Sequence, residues 1–144
     1  MRRIARSAIV ERSAAALYAL VEDIESYPEF LPWCAAAKIL ERSPGRTVAT
    51  LTLGVKGVRQ TLTTENANTP GRAIEMRLLA GPFRRFAASW RFTPLGAQAT
   101  KIEFSLHYEF ANRLAAKALE PALARVADGT VEAFTRRAES RWDA

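Results

Sequence analysis

From Ile102 to Phe110 the chain reads Ile-Glu-Phe-Ser-Leu-His-Tyr-Glu-Phe, with every even position apolar or aromatic and every odd one polar. A period of two over nine residues is the pattern of a strand with one dry face, and it would scatter apolar groups around a helix. The scheme returns in residues 85–92, where Phe86, Ala88, Trp90 and Phe92 alternate with Ala87, Ser89 and Arg91. Shorter versions place Leu51, Leu53 and Val55 on one face, and Ile74, Met76 and Leu78 on another. Between the runs, Ser43-Pro44-Gly45-Arg46 and Thr69-Pro70-Gly71-Arg72 set Pro before Gly, which suits the centre of a type II turn. Gly54-Val55-Lys56-Gly57, Gly81-Pro82 and Pro94-Leu95-Gly96-Ala97 are predicted as three further breaks. The spacing is that of hairpins, so these breaks predict an antiparallel meander of six strands, with one more strand ahead of it at residues 3–10.

Helix signals flank this meander. Ser13 is a good N-cap for the run carrying Leu17, Leu20, Val21 and Ile24. The Tyr27-Pro28-Glu29-Phe30-Leu31-Pro32-Trp33 segment then reads as a second, short helix or turn. Asn112 caps the last element, where Leu119, Leu123, Val126, Phe134 and Ala138 trace an apolar stripe. Some 30 residues of helix would be roughly 45 Å long. Pro121 predicts a kink or a restart near Leu119, and Gly129 is a second soft point.

The order strand, two short helices, six strands, long helix predicts an α+β fold in which the C-terminal helix packs on one face of the sheet. A helix roughly 10 to 12 Å across cannot cover seven strands about 4.8 Å apart. Either the sheet curls tightly or a cleft remains, and the small inward candidates Ala8, Ala37 and Ala88 leave room. A packed core and an apolar cavity are both open at this point.

A chain of 144 residues predicts one domain spanning residues 1–144. Its single cysteine, Cys34, forms no internal disulfide and fits a reducing, cytosolic setting. Lys and Arg number 21 against 15 Asp and Glu, a net charge of +6 shared equally by the two halves. The densest cluster is Arg72, Arg77, Arg84, Arg85 and Arg91, opposed only by Glu75. Such a field favours anionic partners, either nucleic acid or an acidic membrane surface. The basic opening is interrupted by Arg6, Glu11 and Arg12, and no run approaches the ~18 apolar residues of a membrane span.

Catalytic constellations are nearly absent. His107 is the only histidine and falls on the polar face of its strand between Glu103 and Glu109. Cys34 has no CxxC partner and follows Trp33 in an apolar stretch, so it reads as a buried structural thiol. One His and one Cys make no zinc site. No Gly-rich phosphate loop follows a strand. Glu22, Asp23, Glu25 and Glu29 read as decoration of a helix end rather than as an acid–base pair. What remains is aromatic: Phe30, Trp33, Phe83, Phe86, Trp90, Phe92, Phe104, Tyr108, Phe110 and Phe134. On the strands these share the predicted inner face. They make either a core or a pocket for a flat or long apolar ligand, whereas nucleic-acid stacking would need them on an exposed face.

Two segments make the chain familiar. Asp23-Ile24-Glu25-Ser26-Tyr27-Pro28-Glu29-Phe30-Leu31-Pro32-Trp33-Cys34 and Gly81-Pro82-Phe83-Arg84-Arg85-Phe86 with Trp90-Arg91-Phe92 resemble motifs of the START-like coenzyme Q-binding family, within the polyketide cyclase/dehydrase-like superfamily. That family includes the ribosome association toxin RatA. Gly54-Val55-Lys56-Gly57 is a weaker match, since the family often has an aromatic at the place of Val55. The resemblance runs from about Ile4 to Ala138.

It implies a helix-grip fold, a curved seven-stranded sheet around the C-terminal helix, and an apolar tunnel for ubiquinone or another isoprenoid lipid. No cofactor is required for this. The binding would support respiration or quinone biosynthesis. For the RatA branch it implies association with the large ribosomal subunit and a block to subunit joining. Phe30, Trp33, Phe83, Trp90, Phe92, Phe104, Tyr108, Leu123 and Phe134 are then the expected ligand-binding residues. Arg77, Arg84, Arg85 and Arg91 are the expected contacts to ribosomal RNA or anionic lipid, and no specific DNA binding is expected. A third reading, a cyclase-type enzyme, would need a carboxylate or the Tyr108 hydroxyl inside the cavity. The expected location is the cytoplasm, with peripheral contact at the inner face of the cytoplasmic membrane, and the expected host is bacterial, because the motifs begin within a few residues of Met1 and leave no room for a mitochondrial presequence.

Overall fold

The computed structural model describes residues 2–55 and 57–142. Alternation becomes seven antiparallel strands: β1 Arg2–Val10, β2 Cys34–Ser43, β3 Arg46–Val55, β4 Val58–Thr69, β5 Ala73–Ala80, β6 Phe83–Gly96 and β7 Ala99–Phe110. They form one curved sheet in the order β1-β7-β6-β5-β4-β3-β2. Strands β2 to β7 are thus the expected meander, while β1 lies on the far side of β7, with Arg2 opposite Tyr108 and Val10 opposite Thr100. Helix α1, Ala14–Glu22, and a 3-10 helix, Ile24–Glu29, carry the chain from the β1 edge to the β2 edge. The last element, α2, Arg113–Trp142, lies across the sheet.

Local chemistry sets the joints. The Ser13 hydroxyl accepts from the amide of Ala16 at 3.1 Å and starts α1; such caps contribute about 1 kcal/mol. Asn112 does the same for α2, accepting from Ala115 at 2.8 Å. At the Thr69–Arg72 turn the amide of Arg72 reaches the carbonyl of Thr69 at 2.9 Å while Gly71 takes a φ of +72°, which favours glycine. The four acidic residues of the early helices are structural ties. Glu22 pairs with Arg42, Asp23 accepts from Ser26, Glu25 accepts from the amide of Ile39, and Glu29 pairs with Arg137.

Two expectations change. Helix α2 runs unbroken through Pro121 and Gly129, with no restart near Leu119. Pro121 removes one backbone donor, but Leu119, Ala122 and Leu123, buried around it, anchor both sides of the gap to the sheet. The break predicted at Pro94 to Ala97 falls later, because β6 continues to Gly96 through a register shift between Pro94 and Gly96. A bulge lets a proline sit in a strand without interrupting it. The break at Gly54 to Gly57 contains Lys56, which lies outside the described residues; β3 itself extends through Gly54 and Val55.

Candidate functional site: an apolar cavity under the C-terminal helix

The inner faces of β6 and β7 deliver Ala88, Trp90 and Phe92, and Ile102, Phe104, Leu106 and Tyr108, all buried. Opposite them α2 presents Leu119, Leu123, Val126 and Phe134. Phe134 is the hub: its ring meets Tyr27 at 5.4 Å, Phe30 at 5.0 Å and Trp90 at 5.0 Å, each edge to face. Such contacts are favoured by the ring quadrupoles.

The packing is incomplete. A cavity of about 70 Å³ remains between sheet and helix. Trp90, Phe104, Leu106 and Ala88 form its sheet wall, Leu123, Val126, Thr130 and Phe134 its helix wall, and Trp33 and Tyr27 one side. Leu51, Leu53, Leu62, Thr64, Met76, Phe83 and Phe86 complete it. An apolar cavity of ~150 Å³ admits benzene, so at this size the space takes less than one ring. A tail-bearing ligand requires the walls to part.

Among the described residues each polar side chain lining this space has a partner within the protein. The Trp33 indole donates to the Thr130 hydroxyl at 3.1 Å, and the Thr64 hydroxyl donates to Asn66 Oδ1 at 2.9 Å. The Tyr27 hydroxyl donates to the carbonyl of Val21, and burial raises its pKa far above the ordinary phenol range. Among the described residues no carboxylate lines the cavity. The Tyr108 hydroxyl does not reach it either; that side chain belongs to an open trough at the end of the sheet, near Arg2 and Glu120. What the cavity can do chemically is exclude water and hold hydrocarbon.

Of the expected ligand-binding residues, Trp33, Phe83, Trp90, Phe104, Leu123 and Phe134 line the cavity, and Phe30, Phe92 and Tyr108 do not. Phe30 lies outside it, half-buried behind Phe134 with the Arg137 guanidinium 5.0 Å above its ring. Phe92 packs against Tyr18 of α1 at 5.8 Å. Leu62 and Thr64 went unnoticed in the sequence because the polar residues of β4 hide its alternation. Cys34 is buried as expected, its thiol pushed up to about 11 by burial.

The outer face of the same sheet carries a larger, open hollow of about 570 Å³. Its floor is the small residues Ala87, Ser89 and Ser105, and its walls include His107, Glu75, Arg77 and Glu65. Glu65 holds two arginines, Arg46 at 2.7 Å and Arg77 at 2.5 Å, and these bonds lower its carboxyl pKa. Arg77 is therefore already partnered. Arg91 is exposed opposite Glu103, while Arg84 and Arg85 lie at the start of β6, with Arg85 4.0 Å from Glu109.

Comparison with known proteins agrees with this architecture. A family model described as polyketide cyclase / dehydrase and lipid transport matches residues 10–135. The ribosome association toxin RatA of Escherichia coli K12 is 41% identical over 144 residues, covering 100% of this chain and 91% of that protein. The mitochondrial coenzyme Q-binding protein coq10 of Schizosaccharomyces pombe is 24% identical over 131 residues, covering 85% of this chain and 78% of that one. Among solved structures, the Zhui aromatase/cyclase from Streptomyces sp. R1128 superposes with a TM-score of 0.85 at 22% identity, over 97% of this chain and 94% of that one. At that identity the likeness concerns the fold alone.

Proposed function

We propose that this chain, which belongs to the polyketide cyclase / dehydrase and lipid transport family, is a non-enzymatic binder of an apolar, tail-bearing lipid held between the sheet and α2. The observation that carries this is the cavity in which every nearby polar group is paired within the protein. Such a lining favours a hydrocarbon tail over a polar head group. Ubiquinone or another isoprenoid is the expected class, supported by the similarity to coq10. A cyclase-type activity has less support, since among the described residues the cavity lining includes no carboxylate and Tyr108 lies beyond it, toward the end of the sheet. Trp33 and Trp90 both line the cavity, so uptake of a quinone should quench their fluorescence. Organic extraction and mass spectrometry of the purified protein should recover a lipid. An empty protein with no quenching across a quinone titration overturns the reading.

A second reading concerns the role such binding serves. Identity of 41% over the whole chain to a ribosome association toxin, against 24% to coq10, weighs for a ribosome-directed role in the bacterial cytoplasm over a respiratory one. The large subunit is the expected target, with phosphates of its RNA met by exposed arginines, and such contacts weaken steeply with salt. Overexpression followed by sucrose-gradient profiling should raise the proportion of separate subunits; an unchanged profile removes this reading.

A further inference from the structure

Strand direction gathers one set of elements at one end of the sheet: the start of β1, the β3–β4 turn, the β5–β6 turn, the end of β7 and the first turn of α2. Three exposed aliphatic side chains are among them, Leu114 at 78% exposure, Leu79 at 47% and Val58 at 36%. Leu79 is pushed out by a register shift, since Leu78 faces Thr64 and Ala80 already faces Thr63. Exposed cations lie beside them: Arg59 next to Val58, Arg113 next to Leu114, Lys117 one turn further along α2, and Arg84 just past the β5–β6 turn. Among the described residues none of these four has a carboxylate partner, while the acidic Glu109 and Glu120 of this end are engaged by Arg85 and Arg2. Arg2, Arg84 and Arg113 border one open trough of about 350 Å³, large enough for a phosphate head group.

The same end is where the sheet divides. Strands β5 and β6 pair from Ala73 opposite Arg91 to Arg77 opposite Ala87 and no further. Beyond that point β5 stays with β4 as far as Ala80, and β6 from Phe83 stays with β7. Gly81 holds the turn against β4, where an added Cβ would lie 3.0 Å from that of Leu62. Phe83, Phe86 and Met76 border both this split and the cavity behind it.

We propose that this end docks on an anionic lipid bilayer, with Leu79, Leu114 and Val58 entering the head-group layer and Arg59, Arg84, Arg113 and Lys117 bound to lipid phosphates. RNA would account for the cations and leave the aliphatic residues unexplained. A bilayer uses both, and it places the divided edge of the sheet against the phase in which a tail-bearing lipid dissolves. The docking goes beyond the cavity reading and stands without it.

The test is co-sedimentation of the full chain with vesicles of phosphatidylcholine alone and of phosphatidylcholine with 30% phosphatidylglycerol. Partition onto the anionic vesicles and none onto the neutral ones is expected. At about 1 kcal/mol per basic residue near such a surface, Arg84→Gln with Arg113→Gln should lower partition roughly 30-fold. Leu79→Ser with Leu114→Ser should weaken it without changing its salt dependence, and both exposed pairs should leave the thermal melt in place. No partition, partition indifferent to both variants, or an arginine-only dependence reproduced on a ribosomal RNA fragment overturns the proposal. Vesicle binding without quinone uptake would count against the cavity reading alone.

Discussion

The two faces of one sheet make opposite use of their hollows. Outside, the space is about 570 Å³, open and walled by groups such as Glu65, Arg77 and His107; inside, it is about 70 Å³ and walled by Trp90, Phe104, Leu123 and Phe134. Size alone would select the outer one. The chemistry selects the inner, because water competes for every polar contact in an open trough, whereas an apolar space between sheet and helix gains by each hydrocarbon group it takes from water.

The contrast predicts where substitutions hurt. Phe134→Ala, which removes the ring joining Tyr27, Phe30 and Trp90, should cost about 3 to 5 kcal/mol in urea unfolding; a loss below about 1 kcal/mol would mean the inner face is not packed as described. Trp33→Phe leaves the Thr130 hydroxyl without its donor in a buried site, an expected cost of about 1 to 3 kcal/mol. The double variant Trp33→Phe, Thr130→Val should recover part of that, and strict additivity would break the link across the helix. On the outer face Glu65→Gln should cost less than either, since its partners Arg46 and Arg77 are 43% and 71% exposed to water. A carboxyl held below its ordinary value stabilises the fold above the unfolded value of about 4.3, and loses that contribution as pH falls through the folded one. The stabilities of Glu65→Gln and the parent should therefore converge in acid and in high salt. The smallest effect is kinetic: with its thiol raised to about 11, Cys34 should alkylate slowly at pH 8 in the folded protein and rapidly in urea.

The element order was legible because alternation and Pro-Gly turns are local. The β1–β7 pairing joins residues about a hundred positions apart and was carried only by the family resemblance. Within the site, alternation identified the inner face but not the depth of each residue along it. Phe92 and Phe104 obey the same period, yet Phe92 lies beneath α1 and Phe104 borders the cavity. Phe30 shows a second limit: Arg137, far along the chain, covers its ring and gives it a role outside the pocket. The split between β5 and β6 left no mark in the pattern, because residues 78–80 and 83–86 remain paired on their other sides.

The placing of β1 beside β7 also sets an order in time. On a ribosome β3 to β7 each emerge with a neighbour already made, while β1, which precedes them, has no partner until residues 99–110 have followed. Long-range pairings of this kind are slow to close, so the N-terminal strand waits with Ile4 and Val10 uncovered through most of the chain's synthesis, and the sheet gains its last edge only when its first-made segment comes home.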